Sequence, residues 1–262
     1  MAPGCPGRKE AVATFDVKDP EFAQNFEVRT FHSGFVTLAG AVAAIRRSGV
    51  EPVAVINAGF FDGNNQIFSY YKSTTNQVEA SDNSSLGPRG CAWHDHGTLG
   101  FEFLGSTDAN YQRMHQAAGA EVVCAGPMLI RHSVDVLDQQ ICNEHFSPGC
   151  RKDRTDGLNY LGNYPRSGVC VTAAGSLKLF AVTSSKKKCG MTMAELTHEM
   201  MAAGCTEGLN LDGGGSSKMY YNAQAGASVA SSSAGAVTVD GTDPNRGIPV
   251  WLVIVRKSSA TR

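Results

Sequence analysis

Six consecutive residues, Asp212-Gly213-Gly214-Gly215-Ser216-Ser217, combine a carboxylate, three positions without a Cβ and two hydroxyls. Successive glycines let a backbone approach a ligand closely and turn several N–H groups toward one anionic atom. The same run also makes an ordinary tight turn, but its bracketing by Asp and Ser-Ser argues for a site. It is not a nucleotide-binding phosphate loop, which needs Gly directly before Lys, because Ser217 precedes Lys218. A second group, Asn57-Ala58-Gly59-Phe60-Phe61-Asp62, offers an amide and a carboxylate; taken alone it reads as a strand exit with packed aromatics. A third, Pro165-Arg166-Ser167-Gly168, brings an arginine suited to bidentate binding of phosphate or carboxylate, although a lone Arg is more often a surface ion-pair member. Gly126-Pro127 reads only as a bend.

Each group falls where a predicted strand meets a loop. Leu38 to Arg47 has helical composition between Thr37 and Gly49 and precedes an apolar strand over Pro52 to Ile56. Thr192 and Glu195 form a capping box that starts a helix running to about Ala203, with Gly204 as the residue that ends it. Gly208 to Leu211 then reads as a strand that stops at Asp212, and Lys218 to Tyr221 as the next. Further strands are expected over Glu121 to Cys124, Met128 to Arg131, Gly168 to Ala173 and Leu177 to Thr183, the last two joined by a turn at Ala174-Gly175-Ser176. Cys91 to Phe103 has the pattern of a hairpin turning at Asp95-His96-Gly97, and Ile248 to Val255 reads as a final core strand. Residues 1–10 are expected to be loose and 223–236 to form a mobile Ala/Ser/Gly-rich loop. With no repeat and no linker tract, the expectation is one α+β (mixed α/β) domain over 1–262, built of twisted mixed or antiparallel sheets with a few packed helices.

Composition narrows the function classes. Twenty-three basic against 24 acidic residues give a net charge of −1, which gives no support to a protein held on nucleic acid or a membrane surface by bulk charge. Charged residues make up 18%, below the roughly 25% usual for soluble domains. Glycine, at 29 of 262 residues, exceeds its usual share of roughly 7% and implies many turns, with function on loops. No apolar run is long enough to insert in a membrane, and Met1 to Gly7 lacks the character of a signal peptide, so any targeting segment is expected to be absent or removed. Eight cysteines without a CxxC pair exclude zinc-ribbon and thioredoxin readings. Two readings stay open: an exported protein with disulfides, which the count favours, or a cytosolic one with Cys124 and Cys170 as small core residues. Cys142 and Cys150, around a Ser-Pro-Gly loop, are the expected local bridge. Asn83-Ser84-Ser85 is a formal glycosylation sequon. His94-Asp95-His96 has the look of a metal cluster but falls in the expected hairpin turn, so no metal is assigned.

In their order, the segments NAGFFD (57–62), AGPMLI (125–130), PRSG (165–168), GMTMAEL (190–196), LNLDGGGSS (209–217) and RGIPVWLV (246–253) resemble the phosphodiester glycosidase family. The family more often has a glycine where Ala58 stands and a threonine where Ser167 stands; both are small replacements. The resemblance implies hydrolysis of the glycosidic bond of a sugar-1-phosphodiester in a glycan or polysaccharide, without cofactor, by an exported protein. The residues fit that chemistry independently: Asp212 is the first choice for the carboxylate that stabilises or attacks an oxocarbenium-like centre, and if a second carboxyl acts, Asp62 and then Glu79 are the candidates. Arg166 and the amides of Gly213, Gly214 and Gly215 would bind the phosphate, with Arg89 as a secondary candidate. Asn57, Gly59, Ser167, Asn210, Ser216 and Ser217 would contact sugar or phosphate. Two alternatives stay open: cleavage at phosphorus that releases sugar phosphate, and a binding module without turnover.

Overall fold

The computed structural model describes residues 8–74, 78–80, 89–95, 102–104, 111–146, 160–186, 188–222 and 236–257. In chain order the elements begin with β1 (Lys9–Asp16), α1 (Pro20–Asn25), β2 (Phe26–Val36), α2 (Leu38–Arg47) and β3 (Glu51–Asn57). Short strands β4 (Tyr71–Ser73), β5 (Val78–Ala80), β6 (Cys91–Asp95) and β7 (Glu102–Leu104) follow, then α3 (Tyr111–Gln116) and β8 (Ala120–Cys124). Next come β9 (Met128–Arg131), β10 (Val134–Asp135), α4 (Leu137–Asn143), β11 (Arg166–Thr172) and β12 (Ser176–Thr183). The chain closes with α5 (Met193–Ala202), β13 (Cys205–Asn210), β14 (Met219–Asn222), β15 (Ala236–Val239) and β16 (Ile248–Arg256).

This α+β fold has three antiparallel sheets. The first has the order β1-β12-β11-β13-β9-β10, the second β15-β14-β3-β16-β2 and the third β5-β4-β8-β6-β7. Strand period two explains how they share a core. On β16, Val250, Leu252 and Ile254 point into the central cluster between the sheets, with Ala54 and Ile56 of β3 and Val169 and Leu209 of the first sheet. Trp251, Val253 and Val255 point the opposite way, where Leu38, Ala41, Val42 and Ile45 of α2 cover them. Those four positions follow the i, i+3, i+4, i+7 stripe of one helix face, and each fully buried Leu, Val or Ile contributes about 1.5–3 kcal/mol. Thr37 caps α2 by accepting from the Gly40 amide. Helix α5 covers the outer face of the first sheet through Met193, Leu196 and Met200. Its capping box is formed as expected: the Glu195 amide donates to Thr192 Oγ1 and the Thr192 amide to Glu195 Oε2. Gly204 ends the helix at φ +83°, where a side chain would be strained.

Several expectations need correction. Lys9 and Glu10, expected to be loose, pair with Thr183 and Val182 on β12. Ala236, expected in a mobile loop, begins β15 opposite Asn222; residues 223–235 lie outside the described residues. His94 and Asp95, expected at a turn, continue β6 opposite Glu121 and Ala120; His96 and Gly97 lie outside the described residues. The favoured disulfide reading holds, and the alternative of Cys124 and Cys170 as unbridged core residues falls: Cys91 is bridged to Cys124 across β6 and β8, and Cys170 to Cys205 across β11 and β13. Cys142 is also in a disulfide, but Cys150 and the Asn83 sequon lie outside the described residues. Among the described residues no helix is long and apolar enough to cross a membrane.

Candidate active site

Strand β13 leaves the first sheet and runs on between two other strand ends. The Leu211 amide donates to Ser167 O at 2.9 Å and the Asp212 amide to Ala58 O at 2.9 Å, which fixes Asp212 where the first and second sheets meet. Asn57 stitches this junction from β3. Its Nδ2 donates to Asp212 O at 2.6 Å, and its Oδ1 accepts from Ser167 Oγ at 2.8 Å and the Lys218 amide at 2.9 Å. Asn57 and Ser167 are both fully buried, so their polar groups serve the framework that holds the loop. Gly59 has a packing role: a Cβ there would lie 3.1 Å from Ser69 Cβ and 3.4 Å from Cys124 O.

Asp212 is a partly exposed residue. Lost hydration nevertheless pushes its pKa up to about 6, against the opposing pull of hydrogen bonds from Ser216 and the Gly213 amide and of the nearby Arg246 charge. Arg246 lies in the loop between β15 and β16. Its guanidinium stands over the Phe61 ring at 4.9 Å, Phe61 meets Phe35 edge-on at 5.3 Å, and Arg246 Cδ lies 3.5 Å from where a Gly215 Cβ would be. Buried Arg246 Nε has no hydrogen-bond partner among the described residues. A carboxyl poised near neutrality and a cation with a free donor thus converge at one strand end.

Arginine 246 is the residue that sequence reasoning missed. It heads the RGIPVWLV segment, but nothing local ties it to a residue 34 positions earlier; the pairings of β15 with β14 and of β16 with β2 bring its loop back beside Gly215. The expected arginine behaves differently. Arg166 is buried, donates from Nε to Met191 O at 3.0 Å and from Nη2 to Gly162 O at 3.0 Å, and burial lowers its pKa to about 10. Those bonds tie the loops before β11 and α5 to the sheet. The glycine nest also differs from expectation. The Gly213 amide donates to its neighbour Asp212 Oδ1 and the Gly214 amide to Pro165 O, while Gly214–Ser216 winds into a 3-10 turn. Two of the three expected anion donors are therefore spent inside the chain. Ser216 bonds the Asp212 carboxylate, and buried Ser217 Oγ and Asn210 Oδ1 have no partner among the described residues. Asn210 Nδ2 donates to Gly126 O at 2.7 Å, so Gly126-Pro127, expected as only a bend, is bonded to the strand that carries the site.

Of the candidate second carboxyls, Asp62 is bonded within its own loop: its Oδ1 accepts from the amides of Asn64 and Gln66, both at 2.8 Å. Glu79 sits on β5, at the edge of the third sheet, opposite Lys72. Arg89 is buried, donates to Glu144 O and stands over the Phe146 ring at 3.9 Å. It belongs to a second polar centre built round Glu144, a residue the sequence did not single out. Glu144 is fully buried, its oxygens accept from the amides of Gly90 at 2.7 Å and Met128 at 2.8 Å, and burial pushes its pKa up to about 7. Gly126, at φ +109°, leaves room for this carboxyl, since a Cβ there would collide with Glu144 Oε2. Among the described residues no group of three or more His, Cys, Asp or Glu could hold a metal.

This fold of three antiparallel sheets thus sets a carboxylate and an arginine beside a glycine-rich strand end. The sequence profile of the phosphodiester glycosidase family matches residues 51–255, and the chain belongs to that family. No curated protein sequence matches it. Among solved structures, the catalytic domain of zebrafish N-acetylglucosamine-1-phosphodiester alpha-N-acetylglucosaminidase, auto-inhibited by its pro-peptide, superposes with a TM-score of 0.64 at 16% identity, covering 97% of this chain and 85% of that one. A hypothetical protein from Synechocystis gives 0.61 at 16% identity and 96% coverage, this chain spanning 60% of its length. A protein from Burkholderia pseudomallei described as exported gives 0.53 at 16% identity, with 94% and 73% of the two chains covered. At such identities the likeness is one of fold.

Proposed function

We propose that the protein hydrolyses the bond between an anomeric carbon and phosphate in a sugar-1-phosphodiester carried by a glycan or polysaccharide, with an N-acetylglucosamine-1-phosphodiester as the first substrate to try. The observation that carries this reading is Asp212, partly open to solvent, with a pKa of about 6 and Arg246 beside it. The substrate is a monoanion, and Arg246 supplies the positive charge for its phosphate. As the C–O bond breaks, its electron pair leaves on the phosphate oxygen and the Asp212 carboxylate stabilises the positive charge at the anomeric carbon or bonds to it. Water then adds there and yields the reducing sugar. A phosphate monoester departs as a stable anion, so a strong general acid for the leaving oxygen is dispensable.

The described disulfides and the likeness to a protein described as exported support an oxidising compartment outside the cytosol. Hydrolysis in heavy-oxygen water tests the bond assignment. Label is expected in the sugar hydroxyl; label in the phosphate would instead establish cleavage at phosphorus, and binding without product would leave a recognition module.

A further inference from the structure

Lys218 has no exposed side-chain surface, and its ammonium is held inside the protein. An ammonium is costly to bury unless its donors are met. Here Nζ donates to Asp243 O at 2.6 Å and faces Asp240 Oδ1 at 3.1 Å. Asp243 O also accepts the Arg246 amide at 3.1 Å, which closes the turn Asp243-Pro244-Asn245-Arg246. Proline at the second position suits such a turn, and the one carbonyl is therefore shared by the buried ammonium and the residue that approaches Asp212. The loop also lies directly on the glycine segment, since a Cβ on Gly241 would come within 2.8 Å of Ser217 O.

We propose that Lys218 is a positioning residue: its ammonium latches the 240–246 turn and thereby holds the Arg246 guanidinium over Phe61 and beside Asp212. Lys218 touches no reacting atom in this scheme and acts only through Asp243 and Arg246. The role deepens the proposed phosphodiester chemistry and rests on it only for the catalytic consequence; the geometric claim stands apart.

The test therefore reads Asp212 directly, as the carboxyl carbon titration of the labelled full-length protein followed by NMR. Arg246→Ala removes the nearby cation and is expected to raise the Asp212 midpoint by about one pH unit. Lys218→Met is expected to move it the same way, and to add nothing when Arg246 is already Ala. Gly241→Ala changes no charge but crowds Ser217 O, and is expected to raise the midpoint as well, which keeps the test available if Lys218→Met fails to fold. An equal Lys218→Met shift in both backgrounds would mean that the ammonium acts on Asp212 directly and would overturn the proposal, as would an unmoved midpoint in Gly241→Ala. Wild-type inactivity on every sugar-1-phosphodiester would sink the proposed function and leave these titrations to decide the latch. With an active substrate, Lys218→Met is expected to raise KM about tenfold more than it lowers kcat, because a displaced Arg246 weakens phosphate binding first.

Discussion

Asp212 and Glu144 are both carboxyl groups whose pKa is raised by lost hydration, and they stand in opposite kinds of surroundings. Glu144 is enclosed, and each of its oxygens meets a backbone amide, from Gly90 and Met128, that has been turned toward it. Its nearest cation, Arg89, is itself occupied by Glu144 O and the Phe146 ring. Asp212 is a partly exposed residue, lies near the incompletely partnered Arg246, and is followed two residues on by Gly214, where a Cβ would meet nothing within 4 Å. A raised pKa thus marks desolvation in both places. What separates a pin from a site is whether the group retains access and whether its neighbours retain free bonding capacity.

The largest expected effect breaks the Asp212 side of that contrast. Asp212→Asn should lower kcat on a sugar-1-phosphodiester on the order of 10³-fold or more, since the charge that meets the developing cation is removed. The fold should not suffer. A carboxyl whose folded pKa lies above its unfolded value makes the ionised folded state less stable at neutral pH, so a neutral amide relieves that penalty. Thermal melting of Asp212→Asn at neutral pH should be unchanged or raised. Full activity in the variant would remove Asp212 from the mechanism, and a lowered Tm would recast it as a second pin.

For Glu144 the expected effect lies in stability. Its folded pKa of about 7 exceeds the unfolded value of 4.5, so its contribution to stability is fully present below the unfolded value and is lost as pH rises toward and through 7. The shift corresponds to about 3 kcal/mol. Urea titrations of wild type and Glu144→Gln across that range should show the wild-type advantage shrinking by about this amount, on top of a constant cost from the misplaced amide N–H₂. A difference that stays flat with pH would mean that Glu144 is not carrying the proton. Any change in kcat that outlasts correction for folded fraction would place it in the site after all.

The same contrast explains what could be read from the sequence. Elements whose signal is local were legible: the Leu38–Arg47 helix with its Thr37 cap, the Thr192–Glu195 capping box, and the alternating burial of the last strand. The position of Asp212 at a strand end was legible because the apolar run Gly208 to Leu211 stops at Asp and three glycines. Arg246 and Glu144 were not. Each acquires its role from amides, rings or carbonyls far away in the chain, in segments that carry no periodicity of their own. Arg166 misled for the matching reason: an arginine in a motif announces a cation, while the carbonyls of Met191 and Gly162 that occupy it are supplied by other loops.

Asp62 gives the smallest and sharpest comparison, since it lies in the same motif as Asn57 and near Phe61 of the site. Its carboxylate already accepts two loop amides and stands at a partly exposed position, a local Asx-type turn of the kind that such residues form without help from the rest of the fold. Asp62→Ala should therefore cost about 0.5–1.5 kcal/mol in urea unfolding, the net worth of such bonds at an exposed loop. It should leave kcat within about twofold of wild type, because no step of the proposed hydrolysis uses this carboxylate. A kcat loss comparable to that of Asp212→Asn, with Tm unchanged, would show that the loop opens its carboxylate to substrate. The second carboxyl would then be Asp62, and the distinction between spent and available groups would have failed at the place where it is easiest to check.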